Sequence, residues 1–360
     1  MLAPRRVGKT WLIKKFADDL RAQGWMAVLC DVEATRDQLG FLRHLCERIE
    51  EQEPAMEKAG GRAIQFLNQL LFGNAATKWQ DALLKMDWAS FAETLVRGLD
   101  ARGQPTVILV DELALFTLAL LRRSKQEASE FLYRLRALQQ RYRNVRWLFT
   151  GSIGLDTIAK REVIGGALLD LKLFPIEPFS PPAARAFIDH LCDTGRVLRP
   201  FTLDDTAFAR LAEELGWLSP YYLEHIAQVM RPSAPAGADG RRAATVQNID
   251  DAFTSMLAPE RRNYFVAWEE HIAKNFFTRE AAALRRVLDC CAIQPTGERL
   301  DTLTARLGGP PIKFDRRRLH DLLTVLVADG YLAEVADAET ARYRFRSGLL
   351  RRYWQRYHAE

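Results

Sequence analysis

The chain opens on Ala3-Pro4-Arg5-Arg6-Val7-Gly8-Lys9-Thr10, the pattern G-x-x-x-x-G-K-[ST] with alanine at the first glycine. Nothing else in the sequence restricts the fold so much. A loop of this kind cradles a triphosphate because successive backbone N–H groups point inward. The Lys9 ammonium bridges the outer phosphates, and the Thr10 hydroxyl takes one coordination position of Mg²⁺. Such a loop hangs from the carboxyl end of a buried strand and opens a helix. The helix is legible in Trp11, Leu12, Ile13, Phe16 and Leu20, with Gly24 as its stop. Met1-Leu2 is too short to be the strand.

The rest of the first half reads as a parallel α/β sheet. Trp25 to Asp31 forms one strand, and Thr106 to Glu112 is a continuous apolar run, ending in two carboxylates, of the kind buried on both faces. Val145 to Ser152 is expected as the next strand and Leu168 to Ile176 as the last. Helical patterns separate these runs, which implies crossover connections and parallel pairing. The stretch from about Thr35 to Ala101 is a helical elaboration without a chemical motif of its own.

Asp111, at the carboxyl end of a buried strand about a hundred residues after the loop, stands where a Mg²⁺ partner must be, since ligands of open α/β sheets bind at strand ends. Glu112 beside it is placed to polarise an attacking water. Alone, this pair would equally fit a strand ending in solvent; with the loop upstream, the metal reading is favoured. Thr150 and Ser152 end the following strand, where a hydroxyl would reach the γ-phosphate or the water, although Thr-Gly-Ser is also ordinary turn chemistry. Arg5 and Arg6 either attract the triphosphate or face solvent. The histidines form no ligand set, and no Ser-His-Asp or Cys-His arrangement is visible.

From Pro181 to Met230 the apolar positions are helical throughout, giving a small all-helical unit, and Arg231 to Gly240 reads as a flexible connector. Three helical patterns follow (Ala281 to Ile293, Arg299 to Leu307, Phe314 to Ala328), then two alternating runs, Tyr331 to Val335 and Arg342 to Arg346. Three helices and a hairpin make a winged-helix arrangement. Of the net charge of +5, most lies in this last part, where residues 279–360 hold 15 Lys/Arg against 11 Asp/Glu. Arg316-Arg317-Arg318 open its third helix and Arg342, Arg344 and Arg346 lie along the wing, so either DNA or a protein is the expected partner there.

The five cysteines (Cys30, Cys46, Cys192, Cys290, Cys291) follow no metal-ligand spacing, and the Cys290-Cys291 pair reads as packed thiols. No run approaches the roughly 20 apolar residues of a membrane span, and the N-terminus has no signal-type apolar stretch. A soluble, cytoplasmic protein is expected.

Four segments together resemble the archaeal-type ATPases of the signal-transduction ATPases with numerous domains, relatives of the AAA+ proteins. These are the opening loop, Leu109-Val110-Asp111-Glu112, Phe149-Thr150-Gly151-Ser152-Ile153-Gly154-Leu155, and Gly216-Trp217-Leu218-Ser219-Pro220-Tyr221-Tyr222-Leu223. The tail Tyr343 to Trp354 resembles the winged-helix end of such proteins. The resemblance implies a P-loop NTPase core over 1–180, a helical lid over 181–231, a linker and connecting helix over 232–278, and a winged-helix domain over 279–360. It implies ATP with Mg²⁺, bound through Ala3, Pro4, Arg5, Arg6, Val7, Gly8, Lys9, Thr10 and Trp11, with Pro220 near the nucleotide. Thr10 and Asp111 would hold the metal, Glu112 would activate water, and Thr150 or Ser152 would sense the γ-phosphate.

An ATP hydrolase working as a nucleotide-driven switch, with a homo-oligomer as one option, is the leading expectation. A winged-helix DNA-binding regulator and a pseudo-ATPase interaction scaffold are the alternatives. Two departures stand out. Ala3 replaces a glycine, which the loop tolerates where φ is negative, and the strand before the loop is missing. The expectation is a late start, through a mis-assigned initiator or a truncation. Alternatively a partner donates the strand, or the sheet has a gap and nucleotide binds poorly.

Overall fold

The computed structural model describes residues 6–52, 63–73, 78–151, 155, 158–159, 164–276, 278–309, 315–336 and 341–359. They fall into two compact units, residues 9–176 and residues 177–360, and residues 6–8 group with the second.

The first unit is built on a parallel sheet of β1 (Met26–Asp31), β2 (Thr106–Asp111) and β3 (Val145–Phe149) in the order β1-β2-β3. β2 is buried at all six positions, as its β-branched, apolar sequence requires of a strand flanked on both edges and both faces. The register pairs Asp31 with Asp111 and Val110 with Phe149. Thr150 continues the ladder by donating its N–H to the Val110 carbonyl at 2.9 Å. Three strands therefore end level, and their last residues share one edge of the sheet.

The two faces are covered unequally. On one, α1 (Lys9–Ala22) lays Ile13 and Ala17 on Ala27, Val107 and Leu109. On the other, α2 (Gln38–Glu50), α3 (Ala63–Phe72), α4 (Trp79–Lys85), α5 (Trp88–Ala101), α6 (Leu113–Arg123) and α7 (Lys125–Arg141) bury a much larger core. At its centre Phe131 meets Phe41 and Phe116 edge-on at 5.1 and 5.0 Å, each pair adding roughly 0.5–1.5 kcal/mol beyond its area. Asp37, Asp87 and Ser124 cap the starts of α2, α5 and α7 with their side-chain oxygens.

The expected last strand, Leu168 to Ile176, is not one. Gly165–Leu168 forms a 3-10 turn and residues 171–174 run outside any ladder. Its apolar composition suits a strand, but only Pro175 makes a β-bridge, and without an N–H it has only a carbonyl to offer a ladder.

The second unit carries α8 (Pro181–Asp193), β4 (Phe201–Leu203), α9 (Asp205–Leu215), α10 (Pro220–Val229), β5 (Arg242–Ala244), α11 (Val246–Met256), α12 (Asn263–Asn275), α13 (Thr278–Ile293), β6 (Glu298–Arg299), α14 (Leu300–Leu307), α15 (Arg316–Ala328), β7 (Leu332–Val335), β8 (Arg342–Phe345) and α16 (Gly348–Tyr357). Two expectations are corrected here. Residues 181–230 are not all helical, because β4 pairs in parallel with β5 across the expected connector. The connector itself is not free. Ala236 bridges Arg242, the Arg242 guanidinium donates to the Ala234 carbonyl at 2.6 Å, and Arg241 pairs with Asp189 and Asp193, each at 2.6 Å.

At the C-terminal end β6, β8 and β7 form an antiparallel sheet in that order beside α13, α14 and α15. Glycine is required at position 348, where a Cβ would lie 2.1 Å from the Glu214 carbonyl oxygen. All five cysteines are free thiols, as expected of the Cys290-Cys291 pair.

Candidate functional site

Asp111 is the centre of the first unit's site. It ends β2, is only 3% exposed, and its carboxylate accepts from three directions. Thr10 Oγ1 donates to Oδ2 at 2.9 Å. The Glu112 N–H donates to Oδ1 at 3.0 Å, and the Thr150 hydroxyl donates to the same oxygen. Thr10 comes from the first turn of α1 and Thr150 from the end of β3. The three groups meet because parallel strands in this register end at one level.

Lys9 is the first residue of α1 and is buried. A buried lysine next to a helix N-terminus puts a full positive charge beside the partial positive charge of the helix end. Glu112 is half-buried and takes a left-handed backbone conformation, φ 59° and ψ 32°, as the residue that caps α6. Its N–H stays on Asp111.

Residues 6–8 are shaped within the second unit. Arg6 has φ 67° and Gly8 φ 85°, and positive φ on either side of Val7 turns consecutive N–H groups toward one side of the chain, as in anion-binding nests. The fully buried Ser219 donates its hydroxyl to the Arg6 carbonyl. The Arg6 guanidinium lies 4.2 Å over the Tyr221 ring. Pro220, first residue of α10, is so close to Gly8 that a Cβ there would touch its Cγ at 3.6 Å. Next to Tyr221, burial lowers the pKa of the His225 imidazole from its ordinary value.

Beside Thr10 and Asp111 the first unit opens a cleft of about 640 Å³ that also takes in Lys14, Asp31, Arg36 and His44. Its donors suit Mg²⁺. A hydroxyl and a carboxylate are hard oxygen ligands, and this ion is held by one or two such groups plus phosphate oxygens and water. Because Thr10 gives its proton to Asp111, its oxygen lone pairs remain for a cation. Among the described residues no group of three or more His, Cys, Asp or Glu side chains would hold a metal alone.

The structure thus brings Lys9, Thr10, Asp111, Glu112 and Thr150 into one region of the first unit, and Arg6, Val7, Gly8 and Pro220 into one region of the second. Trp11, grouped with the loop from sequence, is 70% exposed on α1. Ala3, Pro4, Arg5 and Ser152 lie outside the described residues. Sequence reasoning missed Ser219 and Tyr221. Their only local signal was a serine before a helix-opening proline, and that reads as a cap.

Residues 2–159 match the AAA domain family. Together with the loop, the parallel sheet and the carboxylates at its edge, the match makes this part an AAA-type P-loop ATPase domain. The chain resembles in fold the Walker-type ATPase of Pyrococcus abyssi, with a TM-score of 0.64, 15% identity and coverage of 98% of this chain and 89% of that one. It also resembles the ORC2 protein of Aeropyrum pernix, whose structure holds ADPNP and ADP, with a TM-score of 0.55, 14% identity and coverage of 99% and 84%. No curated protein matches the sequence.

Proposed function

We propose that this protein binds ATP with Mg²⁺, hydrolyses it and uses the cycle as a switch. The observation that carries the reading is the buried Asp111 carboxylate, held at once by a hydroxyl from the loop helix and a hydroxyl from the neighbouring strand. A merely structural strand end has no need of such an arrangement.

Phosphoryl transfer of this kind depends on positioning and charge neutralisation. Lys9 and the N–H groups of residues 6–9 bind the outer phosphates. Thr10 and Asp111 would hold Mg²⁺, with the carboxylate fixing the hydroxyl whose oxygen is offered. When bound, the ion would supply neutralisation of phosphate charge. Glu112 accepts a proton from water as its oxygen bonds to the γ-phosphorus and the bridge to the β-phosphate breaks. Thr150 holds Asp111 and registers the γ-phosphate.

Residues 278–345, three helices and a small antiparallel sheet, support a winged-helix reading, and the sequence resemblance supports a signal-transduction ATPase that works as an oligomer. A nucleic-acid surface there would rest on Arg317 and Arg344, both exposed, since Arg316 pairs with Asp301 and Arg318 with Glu280. The free thiols support a reducing, cytoplasmic setting. Among the described residues no helix is long and apolar enough to cross a membrane.

The test is phosphate release from ATP with and without Mg²⁺, beside ATP affinity by calorimetry. Mg²⁺-dependent turnover that disappears in Lys9→Ala, together with an affinity loss of about 100-fold, is the expected result. ATP affinity unchanged in Lys9→Ala would overturn it.

A further inference from the structure

Resting on the ATP reading above, we propose that Asp31 is a second carboxylate of the Mg²⁺ site, a positioning residue that holds one of the ion's waters.

Strand alternation puts it there. In β1 residues 27, 29 and 31 share one face, and in β2 residues 107, 109 and 111 do the same. Ala27, Val107 and Leu109 pack on α1, with Leu29 partly covered beside them. The shared face is therefore the one that α1 covers, and α1 carries Thr10. Asp31 pairs with Asp111 in the parallel register. The ladder runs one step further, the Val32 N–H donating to the Asp111 carbonyl at 3.1 Å. Two carboxylates thus leave neighbouring strands, about 4.8 Å apart, at one level and on the side of Thr10. Both line the cleft of about 640 Å³.

The two are engaged differently. Asp111 has both oxygens occupied, Oδ2 by the Thr10 hydroxyl and Oδ1 by the Thr150 hydroxyl and the Glu112 N–H. Asp31 is exposed, and its Oδ1 accepts from the Glu33 N–H at 3.0 Å. Among the described residues its Oδ2 has no donor. The cations of the cleft are turned elsewhere. Arg36 donates to the Glu33 and Thr35 carbonyls at 2.9 and 3.2 Å, Arg48 pairs with Glu51 at 2.6 Å, and His44 lies 3.7 Å from Glu47.

Mg²⁺ gives up water reluctantly and keeps several waters where one or two protein groups and phosphate oxygens bind it. A water on the ion donates a charge-assisted hydrogen bond to a carboxylate oxygen that has no other donor. Asp31 Oδ2 is such an oxygen, on the same face of the sheet as Thr10 and Asp111.

The bond to Glu33 separates a role in the turn from a role toward the metal. Asp31→Asn keeps an Oδ1 for the Glu33 N–H and removes the charge, whereas Asp31→Ala removes both. Mn²⁺ is titrated into the full chain with ADP, free ion being read by electron paramagnetic resonance, and ADP affinity in EDTA is measured by calorimetry. Both variants should bind Mn²⁺ about 10-fold more weakly than the parent, with ADP affinity in EDTA kept within a factor of about two. Parent-like Mn²⁺ affinity in Asp31→Asn would overturn the proposal, and a loss confined to Asp31→Ala would do so by making Asp31 a turn residue only. ADP affinity in EDTA that falls as far as Mn²⁺ affinity would also overturn it, since Asp31 would then serve the nucleotide. A parent chain that takes up no Mn²⁺ with ADP would overturn the ATP reading first, and this proposal with it.

Discussion

Thr10 Oγ1 stands 2.9 Å from Asp111 Oδ2, although 101 positions separate the two residues in the chain. The contact ties the start of α1 to the end of β2. It places the hydroxyl oxygen beside the carboxylate, the pair on which the proposed Mg²⁺ site rests. The expected effects of disturbing this group and its surroundings can be graded.

Glu112→Gln keeps size and shape but removes the proposed base. Turnover should drop by about 100- to 10,000-fold, while ATP affinity from calorimetry stays within a factor of about three. Unchanged turnover in the purified variant would remove Glu112 from the role of base.

Thr150→Val takes one of three donors from a buried carboxylate without changing volume. Urea denaturation should show a loss of about 1–2 kcal/mol, and phosphate release should slow by roughly 10-fold. Thr150→Ser, which returns the hydroxyl, should recover most of both.

Ser219→Ala leaves the Arg6 carbonyl without the hydroxyl that donates to it. A stability cost of about 1 kcal/mol and a several-fold weaker ATP affinity are expected. Tyr221→Phe keeps the ring beneath the Arg6 guanidinium and loses only the bond to the Tyr264 carbonyl, so its ATP affinity should stay near that of the parent.

Cys30 is buried in β1, one residue before its end, and burial pushes its thiol up from 9.0 to about 12. The folded protein keeps the proton longer than the unfolded chain does. This contribution is therefore complete below pH 9 and is lost as pH rises toward 12. At pH 10 the loss from this group alone should be roughly 1 kcal/mol. Chemical denaturation between pH 8 and 10 should show a flatter decline in Cys30→Val; an identical slope would show that Cys30 does not contribute.

The sequence made plain whatever rested on local pattern. Thr106–Asp111 could hardly be anything but a buried strand, and the glycine, lysine and threonine at 8–10 fixed the start of α1. Leu168 to Ile176 has comparable composition but, among the described residues, only a single bridge at Pro175, because a strand is defined by its neighbours as well as by its residues. β4 and β5 hold three residues each, too few for alternation to show. Ser219 was illegible for a different reason. Its partner, Arg6, lies 213 positions away, and no spacing rule reaches that far. Asp111 stood out as a carboxylate at a strand end, but its two hydroxyl partners became evident only once three strands were seen to end level.

The left-handed backbone at Glu112 carries one further consequence. A side chain larger than glycine at φ 59° holds the fold roughly 1 kcal/mol above what glycine would allow. Glu112→Gly should therefore melt higher while losing the carboxylate. On the proposed reading of Glu112 as the base, a laboratory selection for heat resistance alone would favour a form without turnover, and the glutamate would persist only where turnover is selected as well.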